Sequence, residues 1–220
     1  IRSEIMRLAD EYKFFHWHIA FPDVFVAKMP TEISDQDVTG WTSGFDCILG
    51  NPPWGASVSD KQKLLIQNSY HTTEKGIIDT FSVFTELSVK RLVSKGYLGL
   101  VLPDVVLLKN YPSIRLYLLL ETTIIEIANW GRAFKNVNID VCTIVCQNCQ
   151  LKIANNPILA IPSVLNENPR LSTANAITQS TFLSLKDYKF NQTLNHELLD
   201  NINSFRSNGR FIKELFIVRE

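Results

Sequence analysis

The run Gly44-Phe45-Asp46-Cys47-Ile48-Leu49-Gly50 leads straight into Asn51-Pro52-Pro53-Trp54-Gly55. This junction constrains the fold more than any other stretch. A short apolar run bounded by glycines reads as a buried strand. Two successive prolines lack the N–H groups that a ladder needs, so the strand must stop at them. Each proline also fixes its own backbone and restricts the residue before it. The outcome is a stiff loop at the carboxyl end of a buried strand. In open α/β sheets, ligands bind outside those ends.

The rest of the chain alternates strands with helices. Residues 1–20 begin in a helical register and turn aromatic at Phe14, Phe15 and Trp17. Residues 56–78 read as a surface helix and a loop. Asp79 is a candidate N-cap. After it Phe81, Phe84, Leu87 and Leu92 recur at helical steps, Lys90, Arg91 and Lys95 gather near the end, and Gly96 is the expected stop. Residues 97–103 read as a second strand, 112–121 as a helix, 123–128 as a third strand and 139–146 as a fourth. This order predicts a mostly parallel sheet covered on both faces. The last two strands lie too close in sequence for a helical crossover, which predicts an antiparallel hairpin at one edge. Beyond about residue 150 the pattern loosens, and helical periodicity returns weakly near 194–206. The expected division is therefore 1–150 and 151–220.

Composition removes several function classes. The 220 residues carry 22 basic and 22 acidic side chains, and 45% are hydrophobic. That balance excludes a polybasic nucleic-acid binder and a disordered chain. The most apolar stretch, residues 99–108, is broken by Pro103 and Asp104, so no transmembrane helix is expected. Four cysteines are too few for a disulfide scaffold, which points to a reduced cytoplasmic setting. His16 and His18 lack neighbouring ligands for a metal. Cys142 and Cys146 share strand parity as core residues do, so no metal site is expected.

The loop itself offers chemistry. The prolines leave carbonyl oxygens facing the strand-end pocket without adjacent N–H donors. Asn51 adds an amide oxygen, and Trp54 adds a flat apolar face. Two acceptors beside a stacking plate suit a planar group that bears an exocyclic amine.

Asn51-Pro52-Pro53-Trp54 resembles motif IV of the adenine-N6 DNA methyltransferases, whose pattern is Asp/Asn/Ser-Pro-Pro-Tyr/Trp/Phe. His16-Trp17-His18 with Phe21-Pro22-Asp23-Val24-Phe25 resembles the stretch before this motif in type IIG restriction–modification enzymes and phage-defence methylases. Asp79-Thr80-Phe81-Ser82-Val83-Phe84 and Gly96-Tyr97-Leu98-Gly99-Leu100-Val101-Leu102-Pro103 are similar to motifs V and VI, and the stretch from Phe134 to Val145 is similar to motif VIII. The resemblance spans roughly residues 12–148 and covers four motifs in the family's order.

The resemblance implies a Rossmann-like α/β sheet, the C-terminal part of a class I methyltransferase domain, followed by the start of a target-recognition region. It implies S-adenosyl-L-methionine as cofactor, met by Asn51, Pro53 and Phe84. It implies double-stranded DNA with a flipped adenine as partner, and a nuclease fused elsewhere in the full-length chain. Catalysis falls to Asn51, Pro52, Pro53 and Trp54, with Trp54 and Phe134 stacking on the base. The Gly-x-Gly cofactor loop of such enzymes is absent: no two of the nine glycines are separated by one residue. With Ile1 at the start, this predicts a piece that binds the cofactor weakly and is inactive alone. Protein-glutamine or RNA methylation, which also uses Asn-Pro-Pro-Tyr, and a non-catalytic DNA-binding module remain alternatives.

Overall fold

The computed structural model describes residues 1–13, 15–26, 43–134, 138–149, 156–163 and 174–194. Helix α1 (Arg2–Tyr12) ends at Lys13, whose φ of 48° closes it in a left-handed cap. The short α2 (Trp17–Ala20) opens an aromatic cluster. Trp17 packs against Phe21, Phe25 and Phe45, and Phe21 and Phe25 each meet Phe45 edge-on at 5.2 Å. These rings seat the N-terminal segment on the first residue of β1 (Phe45–Gly50). Gly44 permits the approach that starts β1: a Cβ there would lie 2.4 Å from the carbonyl oxygen of Arg91.

Helix α3 (Asp60–Ser69) begins with a reciprocal capping box between Ser59 and Gln62. Helix α4 (Thr80–Val89) is capped by the Asp79 side chain, as its position predicts. There follow β2 (Leu92–Pro103), the single turn α5 (Val105–Leu108) and α6 (Pro112–Glu121), with proline at the start of α6 where a missing N–H costs nothing. Next come β3 (Thr123–Gly131), β4 (Val141–Gln147), β5 (Pro157–Ile161), β6 (Asn175–Thr178) and α7 (Gln179–Ser184).

The six strands form one mixed sheet in the order β1-β2-β4-β3-β5-β6. β1 pairs in parallel with β2, and β3 with β5. β4 runs antiparallel to both β2 and β3, and β6 antiparallel to β5. The expected antiparallel pairing of β3 and β4 is present, but not at an edge. β4 fills the centre, because its Cys142, Ile144 and Cys146 oppose Leu102, Leu100 and Leu98 of β2 and are all buried. The sheet also continues past residue 150 through β5 and β6. The periodicity expected at 194–206 falls, beyond Leu194, outside the described residues.

Helix α4 ends at Val89, well before Gly96. A turn at Lys90 and Arg91 leads into β2, which bulges: Phe45 opposes Leu92, yet Cys47 opposes Tyr97. Asn148 serves the bulge, donating from its side chain to the carbonyls of Leu92 and Val93 at 3.1 Å each and from its backbone to Gly96. Phe81 and Val89 of α4 and Ile114, Leu118 and Leu119 of α6 pack with Leu98, Leu100, Leu102, Ile124, Ile127 and Ile144. Cover on both faces was expected. Among the described residues, Tyr97, Val101, Thr143, Val145 and Glu126 on the opposite face are at best half-buried, whereas Ala128, which pairs with Thr143, is buried. No helix among them is long and apolar enough to cross a membrane.

Candidate functional site

β1 delivers Asn51 and Pro52 to its carboxyl end, where Asn51 is exposed and Pro52 half-buried. The two prolines cannot anchor the loop through their nitrogens, so its anchors lie further on. Gly55, at φ +61°, turns the chain and donates its N–H to Asp79 Oδ1 at 2.8 Å. Thr80 Oγ1 donates to the Pro53 carbonyl at 2.7 Å and accepts from the Ala56 N–H at 3.3 Å. This corrects the expectation for the second proline. Its carbonyl is taken by a hydroxyl 27 residues along the chain. Among the described residues, the Asn51 amide and the Pro52 carbonyl have no hydrogen-bond partner. Two free acceptors therefore remain at the strand end, one on a side chain and one on the backbone.

Trp54 is half-buried and packs against the main core cluster. Its indole N–H is buried and meets no acceptor among the described residues. Phe134 follows the end of β3, is 45% exposed and makes no ring contact among the described residues. Phe84 is 43% exposed. It lines an apolar groove of about 290 Å³ with Trp17, Phe45, Cys47, Leu49 and Arg91, beside the free edge of β1. A second cavity, of about 300 Å³, lies behind the loop and is lined by Gly55, Ala56, Val58, Lys63, Ile78 and Thr80. The structure thus joins Asn51 through Trp54 in one loop anchored on α4, and sets Phe84 in the groove along β1.

A third cavity, of about 240 Å³, opens beyond the ends of β2, β3 and β5, where Asp104, Asn129 and Ser163 meet Phe190 and Gln192. Burial, and then the charge of Asp140, push the Asp104 carboxyl above its ordinary pKa. His16 and His18 place their rings 5.8 Å apart near the chain start. Cys142 and Cys146 are buried in β4, as their parity predicts.

Sequence reasoning missed Asp79 and Thr80 as partners of the loop. The available signal was the pair itself: an N-cap carboxylate followed by a hydroxyl, next to a loop whose prolines leave its carbonyls without local donors.

A stretch of 94 residues is 34% identical to the type II methyltransferase M.VspI of Vibrio sp. (strain 343), covering 42% of this chain and 22% of that protein. Another, of 98 residues, is 34% identical to a putative type II restriction enzyme and methyltransferase of Methanocaldococcus jannaschii, covering 43% of this chain and 6% of that protein. The chain thus spans less than a quarter of either relative. The fold aligns with the type IIG restriction endonuclease BpuSI at a TM-score of 0.50 and 12% identity, over 73% of this chain and 22% of that one. The Eco57I restriction-modification methylase family matches residues 2–135, which contain β1, the proline loop, α4, β2 and β3, and the chain belongs to that family.

Proposed function

We propose that this chain carries the base-binding and methyl-accepting side of a DNA adenine-N6 methyltransferase that uses S-adenosylmethionine within a restriction–modification system. The observation that supports it most is the pair of free acceptors, the Asn51 amide and the Pro52 carbonyl, fixed beside Trp54. Adenine N6 is a weak nucleophile because its lone pair is delocalised into the ring. Hydrogen bonds from its two N–H groups to Asn51 Oδ1 and Pro52 O favour a more tetrahedral nitrogen with a directed lone pair. The contribution is positioning and preorganised electrostatics. Bound S-adenosylmethionine supplies an electrophilic sulfonium methyl. N6 would take the methyl as the S–CH3 bond breaks, with the neutral thioether leaving and one N6 proton passing to solvent.

The residues present fit part of that cofactor. Phe84 and Leu49 offer an apolar wall of a size suited to an adenine ring, the exposed Asn51 amide lies at the strand end beyond it, and Pro53 contributes its ring face because its carbonyl is occupied. The target base must leave the duplex, at a cost on the order of a few kcal/mol. Stacking on Trp54, with Phe134 as a second plate, would return about 1–3 kcal/mol per contact. Because β5 and β6 complete the same sheet, a target-recognition region would begin only after them in the full-length protein. A fused nuclease and double-stranded DNA complete the expected partners.

The test is tritiated methyl transfer to duplex DNA by the full-length protein, with digestion to identify the product. N6-methyladenine is expected, and Asn51→Ala should lower the rate about 10²–10³-fold while duplex binding persists. Label on cytosine, RNA or protein glutamine would replace the substrate assignment. A near-wild-type rate for Asn51→Ala would remove the role given to the loop.

A further inference from the structure

We propose that Asp79 and Thr80 form a positioning clamp that selects which backbone carbonyl of the proline loop faces the substrate. The inference rests on the adenine-methyltransferase reading above and deepens it.

Among the described residues, three backbone groups of the loop find their partners in these two side chains. Gly55 N–H meets Asp79 Oδ1 at 2.8 Å, Pro53 O meets Thr80 Oγ1 at 2.7 Å, and Ala56 N–H meets the same hydroxyl at 3.3 Å. A single hydroxyl therefore acts at once as donor and acceptor. Serine can do this, and valine, of nearly the same shape, cannot. Asp79 Oδ1 also accepts from Phe81 N–H at 3.4 Å, which caps α4. Phe81 is fully buried and holds the start of α4 in the core. The rigidity of a packed helix is thus handed to a loop that has no ladder of its own.

The selection follows from the donor count. Pro52 and Pro53 each present a carbonyl and no N–H, so either oxygen could accept from a substrate amine. Thr80 takes one acceptor position of the Pro53 oxygen and ties that carbonyl to α4, leaving the Pro52 oxygen beside Asn51. Without the hydroxyl both carbonyls are free and the loop is no longer tied to α4, so the acceptor pair is spread over several geometries. A misplacement of about 1 Å is enough to cost up to 10²-fold in rate. Ground-state binding of the duplex, made largely by other surfaces, should change little.

The test compares Thr80→Val, Thr80→Ser and Asp79→Ala with wild type in the full-length protein. Steady-state methyl transfer and hydrogen exchange at the amides of Gly55 and Ala56 are both read. Thr80→Val is expected to lower kcat about tenfold to a hundredfold, with KM for DNA nearly unchanged. Exchange at Ala56 should accelerate at an unchanged melting temperature. Thr80→Ser should recover most of both losses, and Asp79→Ala should accelerate exchange at Gly55. Equal losses in the Val and Ser variants, or unaltered exchange in Thr80→Val, would overturn the clamp. If the wild-type protein methylates no adenine, the functional reading fails while amide exchange still decides the clamp.

Discussion

The guanidinium of Arg115 donates twice to the backbone carbonyl of Asp187, at 3.0 and 2.9 Å. Its remaining terminal nitrogen donates to the carbonyls of Val106 and Lys109 at 2.6 and 3.0 Å. Arg115 is fully buried, and its bonds go to backbone oxygens rather than to a carboxylate. Burial pulls its pKa down to about 10, with the Asp187 charge opposing. One side chain of α6 therefore ties down the end of α5 and the turn that follows α7.

Replacing this cation with a chain of similar length tests the tie. Arg115→Met leaves the Val106 and Asp187 carbonyls without donors, while Lys109 keeps the Tyr111 N–H, and each orphaned group costs about 1–3 kcal/mol. A loss of about 2 kcal/mol or more is expected in urea unfolding. A loss below about 1 kcal/mol would mean that water reaches those carbonyls.

Trp54 combines a packed ring with an unpartnered N–H. Trp54→Phe keeps a ring and removes the orphaned donor, so stability should hold within about 1 kcal/mol. Trp54→Ala should cost about 2 kcal/mol in thermal or urea unfolding, since the site is only half-buried. It should also weaken capture of an extruded base by about 1–3 kcal/mol, read as binding to DNA with an abasic partner opposite the target.

The cysteines divide by burial. Burial pushes Cys146 up to about 12, against a hydrogen bond from Thr122 that lowers it, and raises Cys142 as well. Both thiols should react with Ellman's reagent only as fast as the sheet opens. Cys47 is exposed on β1 and should be modified first. A bulky label there would also block the Phe84 groove, which Cys47 lines.

Asp104 sets a pH dependence of known sign. Its folded-state pKa is raised above the ordinary 3.8, by burial first and by Asp140 second. Between the ordinary and raised values the folded state binds more protons than the unfolded state. Stability therefore falls as pH climbs through that window, and the penalty is complete above it. Asp104→Asn should raise the melting temperature at neutral pH, with the gain vanishing as pH falls through the ordinary value. A gain that is constant across pH would assign the effect to packing instead.

Much of this fold is legible in short stretches. Residues 45–50 announce a strand because their apolar run is brief and glycine-bounded, and Pro112 and Asp79 mark helix starts by chemistry that is entirely local. What escapes is non-local. Nothing between Lys90 and Gly96 reveals that Asn148 will satisfy their carbonyls, so the helix reads as continuing to the glycine when it ends at Val89. The nearness of β3 and β4 in sequence fixes that they pair, but not that β2 closes on the far side of β4. Asn51 and Trp54 are legible as site residues by type. That Pro53 is sequestered and Pro52 is not depends on Thr80, which only the folded chain brings to them.

The central position of β4 has a consequence for how the protein is made. As the chain leaves the ribosome, β1 and β2 emerge first, and β3 later, with no strand yet available to join the two groups. The seam closes only when Val141–Gln147 enters from behind β3 and zips to both neighbours at once. Until then Leu98, Leu100, Ile124 and Ile127 face a gap, a state open to chaperones and to aggregation. A stop codon just before residue 141 would keep every residue of the family's matched region and still leave β3 cut off from β1 and β2.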